Sequence, residues 1–391
     1  MSEKRRDNKG RVLQKGESQR KDNRYQFRYT DNMGKRRTIY SSDLNDLRKK
    51  EKEVRKSIEN GINYAEGNIT VLELVKRYTS LKQGVRYNTK VGYSSALNII
   101  EDEEFGHKKV RDVKMSDAMQ WLVKLSNGGK GFSSIRNIRG VVKPAFQMAV
   151  KEDVILKNPF DFPLKDVIVD NSKKRDALNS QQQKIWMNFI KNDKTYSKYY
   201  DEFYILLKTG LRVSEFCGLT KKDINFEEKY INIDHQLSRT KDGKYYVEKT
   251  KTNSGTRRIP LTDDVAKSLK NIIERRNNPK KEMVVDGYSE FLLLDKNQNP
   301  KVALHIENEM RWAMKKYKKL HPDVPLPNVT PHVLRHTYCT NMIKMNTPLK
   351  VLQCLMGHSS IEVTSDIYTH LASEDVNNVV QQLYKKENNW V

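Results

Sequence analysis

The hydrophobic pattern of this chain changes period along its length, and each change marks a different kind of element. Tyr25, Phe27 and Tyr29 alternate with Gln26 and Arg28, as in a strand with one buried face. Asp31-Asn32-Met33-Gly34 supplies turn chemistry, and Lys35 to Tyr40 can return as a second strand. A strand near Lys15 to Lys21 would complete a small sheet. Ser42 then offers an N-cap to a helix with Leu44, Leu47, Val54 and Ile58 at helical spacing and Gly61 as its stop.

After a polar stretch from Asn63 to Asn68, Thr70-Val71-Leu72-Glu73 is a capping box opening a helix that runs to about Leu81. Helical patterns follow at Asn88 to Ile100, Ser116 to Leu125 and Ser133 to Glu152, and Asn158-Pro159 ends this all-α series. The acids Glu101 to Glu104 read as a solvated face rather than a metal site. Lys165 to Arg175 lacks strong periodicity and reads as a linker, and the last domain starts near Ala177. Between Tyr230 and Leu261 the period returns to two, with turns at Lys241-Asp242-Gly243-Lys244 and Asn253-Ser254-Gly255. That pattern predicts a three-stranded antiparallel sheet with Lys251 at the tip of its second hairpin.

Composition narrows the partner. Among 391 residues, 73 Lys and Arg stand against 49 Asp and Glu, a formal charge of +24 that suits a polyanion such as nucleic acid. No apolar run approaches the ~20 residues that span a bilayer, and the N-terminal residues Met1 to Asp7 have no apolar stretch behind them to act as a secretory signal, so a cytoplasmic location is expected. The three cysteines, Cys217, Cys339 and Cys354, show no C-x-x-C spacing and read as buried free thiols. With that charge, the cationic small sheet (Arg28, Lys35, Arg36, Arg37) and the linker run Lys173, Lys174 and Arg175 become candidate DNA contacts.

Candidate chemistry lies in the C-terminal half. Arg212 follows the helix-breaking Gly210, and Glu215 can orient it by a bidentate pair. Lys251 would carry a long ammonium arm toward a leaving oxygen, with Lys249, Arg257 and Arg258 as neighbouring competitors for phosphate. Thr330 caps a helix with Pro331 at its first position, placing His332, Arg335 and His336 on one face near the positive end of its dipole. A zinc reading of His332 and His336 lacks the glutamate after the first histidine and is set aside, so no metal site is expected. Gly357-His358 ends another helix, and Tyr368, one of 19 tyrosines, follows ten positions later. A phenolic oxygen beside such a cradle can displace an oxygen at a phosphodiester and hold the phosphate covalently.

The run Thr-Gly-Leu-Arg212, the hairpin Lys251, His332-Val-Leu-Arg335-His, Gly357-His358-Ser-Ser and Ile-Tyr368-Thr-His resemble the signature of the tyrosine recombinase (phage integrase) family. The arginine-rich opening and the sheet-plus-helix module resemble those of conjugative-transposon integrases. The resemblance implies that Tyr368 attacks the scissile phosphate to give a 3′-phosphotyrosyl link, that Arg212 and Arg335 hold the non-bridging oxygens, and that Lys251 is the general acid. It further implies that His332 accepts or shuttles the tyrosine proton, that His358 hydrogen-bonds the phosphate and that Glu215 supports the site. The bond energy stays in the phosphotyrosine, so no cofactor is implied. One departure is the ten-residue step from His358 to Tyr368, where many members have nine.

The resulting expectation is a multidomain α+β chain. It comprises an N-terminal three-stranded sheet plus helix (1–66) that binds arm sites, an all-α core-site domain (67–165), and a mainly α catalytic domain with a small antiparallel sheet (166–391). It would excise and integrate a mobile element as a homotetramer on double-stranded DNA, through exchange of a tail helix. Ser373 would cap that helix, with Val376, Val379, Val380 and Leu383 forming its apolar stripe. An excisionase or DNA-bending protein is a further expected partner. The rivals are a type IB topoisomerase-like relaxing enzyme and a non-cleaving architectural protein.

Overall fold

The computed structural model describes residues 5–31, 34–59, 66–172, 176–250, 255–276, 279, 281–362 and 365. The chain divides into two compact units, 1–173 and 174–391.

The first unit opens with β1 (Glu17–Gln19), β2 (Tyr25–Thr30) and β3 (Arg36–Ser41), an antiparallel sheet in the order β1-β2-β3. Helix α1 (Leu44–Glu59) follows. Asp43, not Ser42, caps it by accepting from the Asn45 and Asp46 amides at 2.7 and 3.1 Å. The Ser42 expectation fails because the shorter spacing to the first free amides belongs to Asp43. Tyr25 and Phe27 bury against Leu44, Leu47 and Val54, each worth roughly 1.5–3 kcal/mol for the aliphatic side chains. The stop expected at Gly61 lies outside the described residues.

A second core in this unit is built from α2 (Val71–Ser80), α3 (Tyr87–Glu101), α4 (Glu104–His107), α5 (Met115–Asn127) and α6 (Phe132–Lys151). The Thr70 capping box forms as expected, with Glu73 N donating to Thr70 Oγ1 at 3.2 Å and Thr70 N donating to Glu73 Oε2 at 2.7 Å. Phe105 stacks on Trp121 at 4.5 Å, and Phe160 meets both edge-on. Leu164 and Ile168 also join this core. The acidic loop is a solvated, paired face: Glu101 meets Lys76 at 3.1 Å and Glu103 meets Lys124 at 2.7 Å.

The second unit begins with α7 (Ser180–Asn192), capped reciprocally by Asn179 and Gln182. Helix α8 (Tyr200–Thr209) and α9 (Val213–Gly218) lead into β4 (Ile224–Asn225), β5 (Tyr230–Ile233), β6 (His235–Arg239), β7 (Tyr245–Lys249) and β8 (Arg257–Pro260). Helices α10 (Asp263–Arg275), α11 (Ala303–Leu320), α12 (Pro331–Lys344) and α13 (Leu349–Met356) complete it. Where one three-stranded sheet was expected between Tyr230 and Leu261, two sheets form: β4-β5-β8 and a separate β6-β7 hairpin. The split falls at Asp234. There β6 leaves the first sheet to pack on α9, so closely that a Cβ on Gly218 would sit 3.0 Å from the Leu237 amide nitrogen. Alternation records which face of a strand is buried, but not which strand it pairs with. Among the described residues, no helix is long and apolar enough to cross a membrane.

Candidate active site

Two helix ends create the site. Helix α8 stops at Gly210, whose φ of +62° is the left-handed region that glycine tolerates without strain. A Cβ there would lie 2.4 Å from the Tyr338 ring, so both conformation and space demand glycine. The turn ejects Arg212 at the start of α9, where its backbone amide donates to Glu215 Oε2 at 2.9 Å and its guanidinium donates to Glu215 Oε1 at 2.7 Å. Helix α13 ends the same way at Gly357, with φ +61°, and His358 follows.

Arginines grip both ends. Arg335, on α12, donates to the Gly210 carbonyl at 2.5 Å and to the Met356 carbonyl. Arg212 donates to the Gly357 carbonyl at 2.8 Å. The structure therefore brings Arg212, Glu215, Arg335 and His358 together from segments as much as 145 residues apart. The Arg335 residue is 5% exposed, whereas the Arg212 side chain is 39% exposed and presents a cationic face to solvent. On the first turn of α12, Thr330 accepts from the Val333 amide at 3.2 Å as expected, and His332 is exposed. The three side chains expected on one face divide by burial, because Arg335 turns inward to the helix ends while His332 stays in solvent.

The surroundings of Arg257 differ from those expected. It was expected to compete for phosphate, yet it is buried, donating to Glu215 Oε2 at 2.8 Å, Glu215 Oε1 at 3.2 Å, the Gly255 carbonyl at 3.2 Å and the Leu355 carbonyl at 2.7 Å. Period two carried the signal: on β8, Arg257 is buried and Arg258 exposed.

The charges are mutually tuned. Burial pushes the Glu215 carboxyl up, but the bonds and charge of Arg257 and the charge of Arg212 overcome it and hold Glu215 at about 2. Burial, then the charges of Arg212 and Arg257, push Arg335 down to about 9 against the opposing pull of Glu215, so it stays cationic at neutral pH. Burial together with Arg335, Arg212 and Arg257 lowers His358 to about 4, leaving a neutral imidazole able to donate one N–H.

The family model described as the phage integrase family matches residues 176–375, and the DNA binding domain of Tn916 integrase matches residues 1–59. The transposase from transposon Tn1545 of Streptococcus pneumoniae is 40% identical over 400 residues, covering 99% of this chain and 98% of the relative. The transposase from transposon Tn916 of Enterococcus faecalis is 39% identical with the same coverage. The chain belongs to the phage integrase family. The integrase is thus a tyrosine recombinase, an enzyme that cleaves and rejoins DNA. Its fold matches that of the Tn1549 transposon integrase in complex with transposon right end DNA at a TM-score of 0.76 and 36% identity, covering 81% of this chain and 100% of that one. The match to the same protein with a circular intermediate DNA has a TM-score of 0.76 and 36% identity and covers 81% of this chain and 99% of that one.

Two expected participants of the integrase, Lys251 and Tyr368, lie outside the described residues, as do Lys173, Lys174, Arg175 and the tail from Asp366 onward. On either side of Lys251 in the sequence, Thr250 and Thr256 meet through their hydroxyls at 2.7 Å. Strands β7 and β8 pair with different partners, so the expected second hairpin is not formed by them.

In the N-terminal sheet, the four candidate cations do not share a face. Arg28 pairs in register with Thr38, and Arg36 with Thr30, on the side opposite Phe27, and both are exposed. Arg37 registers with Tyr29 on the other side and donates to Asp31 Oδ2 at 3.0 Å. Adjacent residues on a strand must point apart, which removes Arg37 from the group. Lys35 is exposed at the start of β3. Asp223, Asp234 and His235 bring three possible metal-ligand atoms within 4.8 Å of one another. These groups are already engaged: Thr220 donates twice to Asp223 at 2.7 Å, and His235 bridges Asp234 at 2.5 Å and the Gly218 carbonyl at 2.8 Å.

Proposed function

We propose that this integrase cuts and rejoins the ends of a mobile DNA element, with Tyr368 as nucleophile and Arg212, Arg335 and His358 as the phosphate cradle. The observation that carries this reading is the convergence of those three side chains on the ends of α8 and α13, with the Arg212 guanidinium exposed. The Tyr368 oxygen bonds to phosphorus while the bond to the 5′ oxygen breaks. Lys251 protonates that departing oxygen, and His332 takes the phenol proton. The arginines meet the charge that grows on the non-bridging oxygens, and neutral His358 donates a hydrogen bond to one of them. An incoming 5′-hydroxyl reverses each step and frees the tyrosine. Bond energy is conserved throughout, so the cycle runs without a cofactor.

The assignment extends to the rest of the chain. Residues 1–66 bind arm sites through Arg28, Lys35 and Arg36, in keeping with the match to a Tn916 integrase DNA-binding domain. Residues 67–165 and 166–391 bind the core site, and Lys173, Lys174 and Arg175, near the start of the second of these, follow the DNA backbone. The integrase acts in the cytoplasm as a tetramer assembled by exchange of its tail, with an excisionase or DNA-bending protein setting direction.

The test is a nicked duplex carrying the element's junction sequence, which traps the covalent adduct. Wild-type protein is expected to form it, and Tyr368→Phe to bind the duplex without forming it. An adduct at wild-type level in that variant removes Tyr368 from its role, and plasmid relaxation without intermolecular joints favours a topoisomerase instead.

A further inference from the structure

All three guanidinium nitrogens of Arg257 already donate to protein groups, and those groups surround Arg212, the exposed member of the proposed cradle. At 8% exposure, its guanidinium sends two donors to Glu215, one to the Gly255 carbonyl and one to the Leu355 carbonyl. Glu215 is consequently held from two sides: Oε1 accepts from Arg212 at 2.7 Å and Arg257 at 3.2 Å, and Oε2 accepts from the Arg212 amide at 2.9 Å and Arg257 at 2.8 Å. Leu355 is in the last turn of α13, two residues before the Gly357 carbonyl that Arg212 also grips.

We infer that Arg257 is a positioning residue for strand transfer: it braces Glu215 and the end of α13 so that the exposed guanidinium of Arg212 is aimed before DNA arrives. This rests on the phosphate-cradle role given to Arg212 above. The physical argument is the shape of the group. A planar fork can bridge a carboxylate and two carbonyls at once, whereas an ammonium cannot, so charge alone does not substitute for it. With the brace gone, Glu215 keeps only Arg212 as partner, and the pair is free to rotate away from the direction a phosphate needs. Misplacement of that order costs about 10²-fold in rate without removing any contact to DNA.

The experiment compares single-turnover cleavage by full-length Arg257→Lys and wild type on two nicked junction duplexes. One carries the normal scissile phosphate, and the other a neutral methylphosphonate at the same position. A clamp that works on negative charge matters much less for the neutral substrate. The expected result is a defect of about 10²-fold on the phosphate that shrinks to under about tenfold on the methylphosphonate, with DNA affinity retained. Because both rates come from one protein sample, a partly unfolded variant lowers them equally and leaves their ratio unmoved. Equal defects on the two substrates, or a wild-type rate on the phosphate, overturn the inference. Arg257→Gln gives the same ratio by a second route if the lysine variant does not fold. Wild type and Tyr368→Phe are run alongside. If wild type forms no adduct, the strand-transfer reading itself fails; if it does and the Arg257 ratio is flat, only the positioning role fails.

Discussion

Cations serve two regions of this integrase in opposite ways. In the catalytic unit, Arg335 and Arg257 are buried and spend their donors on backbone carbonyls and Glu215. In the N-terminal sheet, Arg28 and Arg36 stand exposed on a strand face. The first arrangement is pre-organised, which on the proposed reading leaves little movement to be made when charge develops on phosphorus. The second is a solvated surface suited to binding a backbone by counterion release, where position is loosely specified and salt governs affinity. Substitutions in the first region should therefore damage rate and stability together, and those in the second should change the salt dependence of binding alone.

The largest effect is expected from Arg335→Ala. It leaves the Gly210 and Met356 carbonyls without their donor, costing about 3 kcal/mol in thermal or denaturant unfolding. It should also slow adduct formation by 10³-fold or more, on the order of the loss of an essential transition-state contact. A variant that melts like wild type would show that the buried grip is not structural. Next comes Arg212→Lys, expected to cleave about 10²-fold more slowly because one ammonium cannot reproduce the fork. Its side chain is 39% exposed, so unfolding should shift by less than about 1 kcal/mol.

Acidity separates the regions further. His358 is held at about 4, below its ordinary 6.5, because burial and three arginines disfavour its charged form. Its contribution to stability is complete above pH 6.5 and is lost as pH falls from there through about 4. Glu215, held at about 2 instead of 4.5, contributes fully above pH 4.5 and loses that contribution only as pH falls through about 2. Melting temperature of the wild type should hence decline below pH 6.5, and His358→Gln should flatten the upper part of that decline. An unchanged slope in the variant would assign the decline elsewhere. Smaller still, Arg28→Ala and Arg36→Ala should each reduce the slope of log affinity against log salt for arm-site DNA by about 1. Arg37→Ala, which loses only its partly exposed pair with Asp31, should leave that slope unaltered and cost less than about 1 kcal/mol.

What could be read from the sequence follows the range of the interactions involved. The Thr70 capping box, the Thr330 cap and the helix-ending Gly210 and Gly357 all act within a few residues, and their chemistry is written locally. The ordered run of Arg212, Arg335 and His358 was visible as side chains of a kind able to hold phosphate. Their meeting was not, since Arg335 reaches Gly210 across 125 residues and Arg257 reaches Leu355 across 98. Strand partnership in the second unit was equally out of reach, because β5 chooses β8 over its neighbour β6 through packing of β6 on α9. By contrast, the opposite facing of Arg36 and Arg37 was already present in the period of two.

The grip on α13 has a consequence for how the molecule loses its order. Carbonyls of its last residues, at Leu355, Met356 and Gly357, are each capped by a different guanidinium. Unwinding that terminus and dismantling the cradle are one event. Amide protons around 354–358 should consequently exchange with solvent at a pace reporting the readiness of the site itself, a local gauge of competence that needs no DNA.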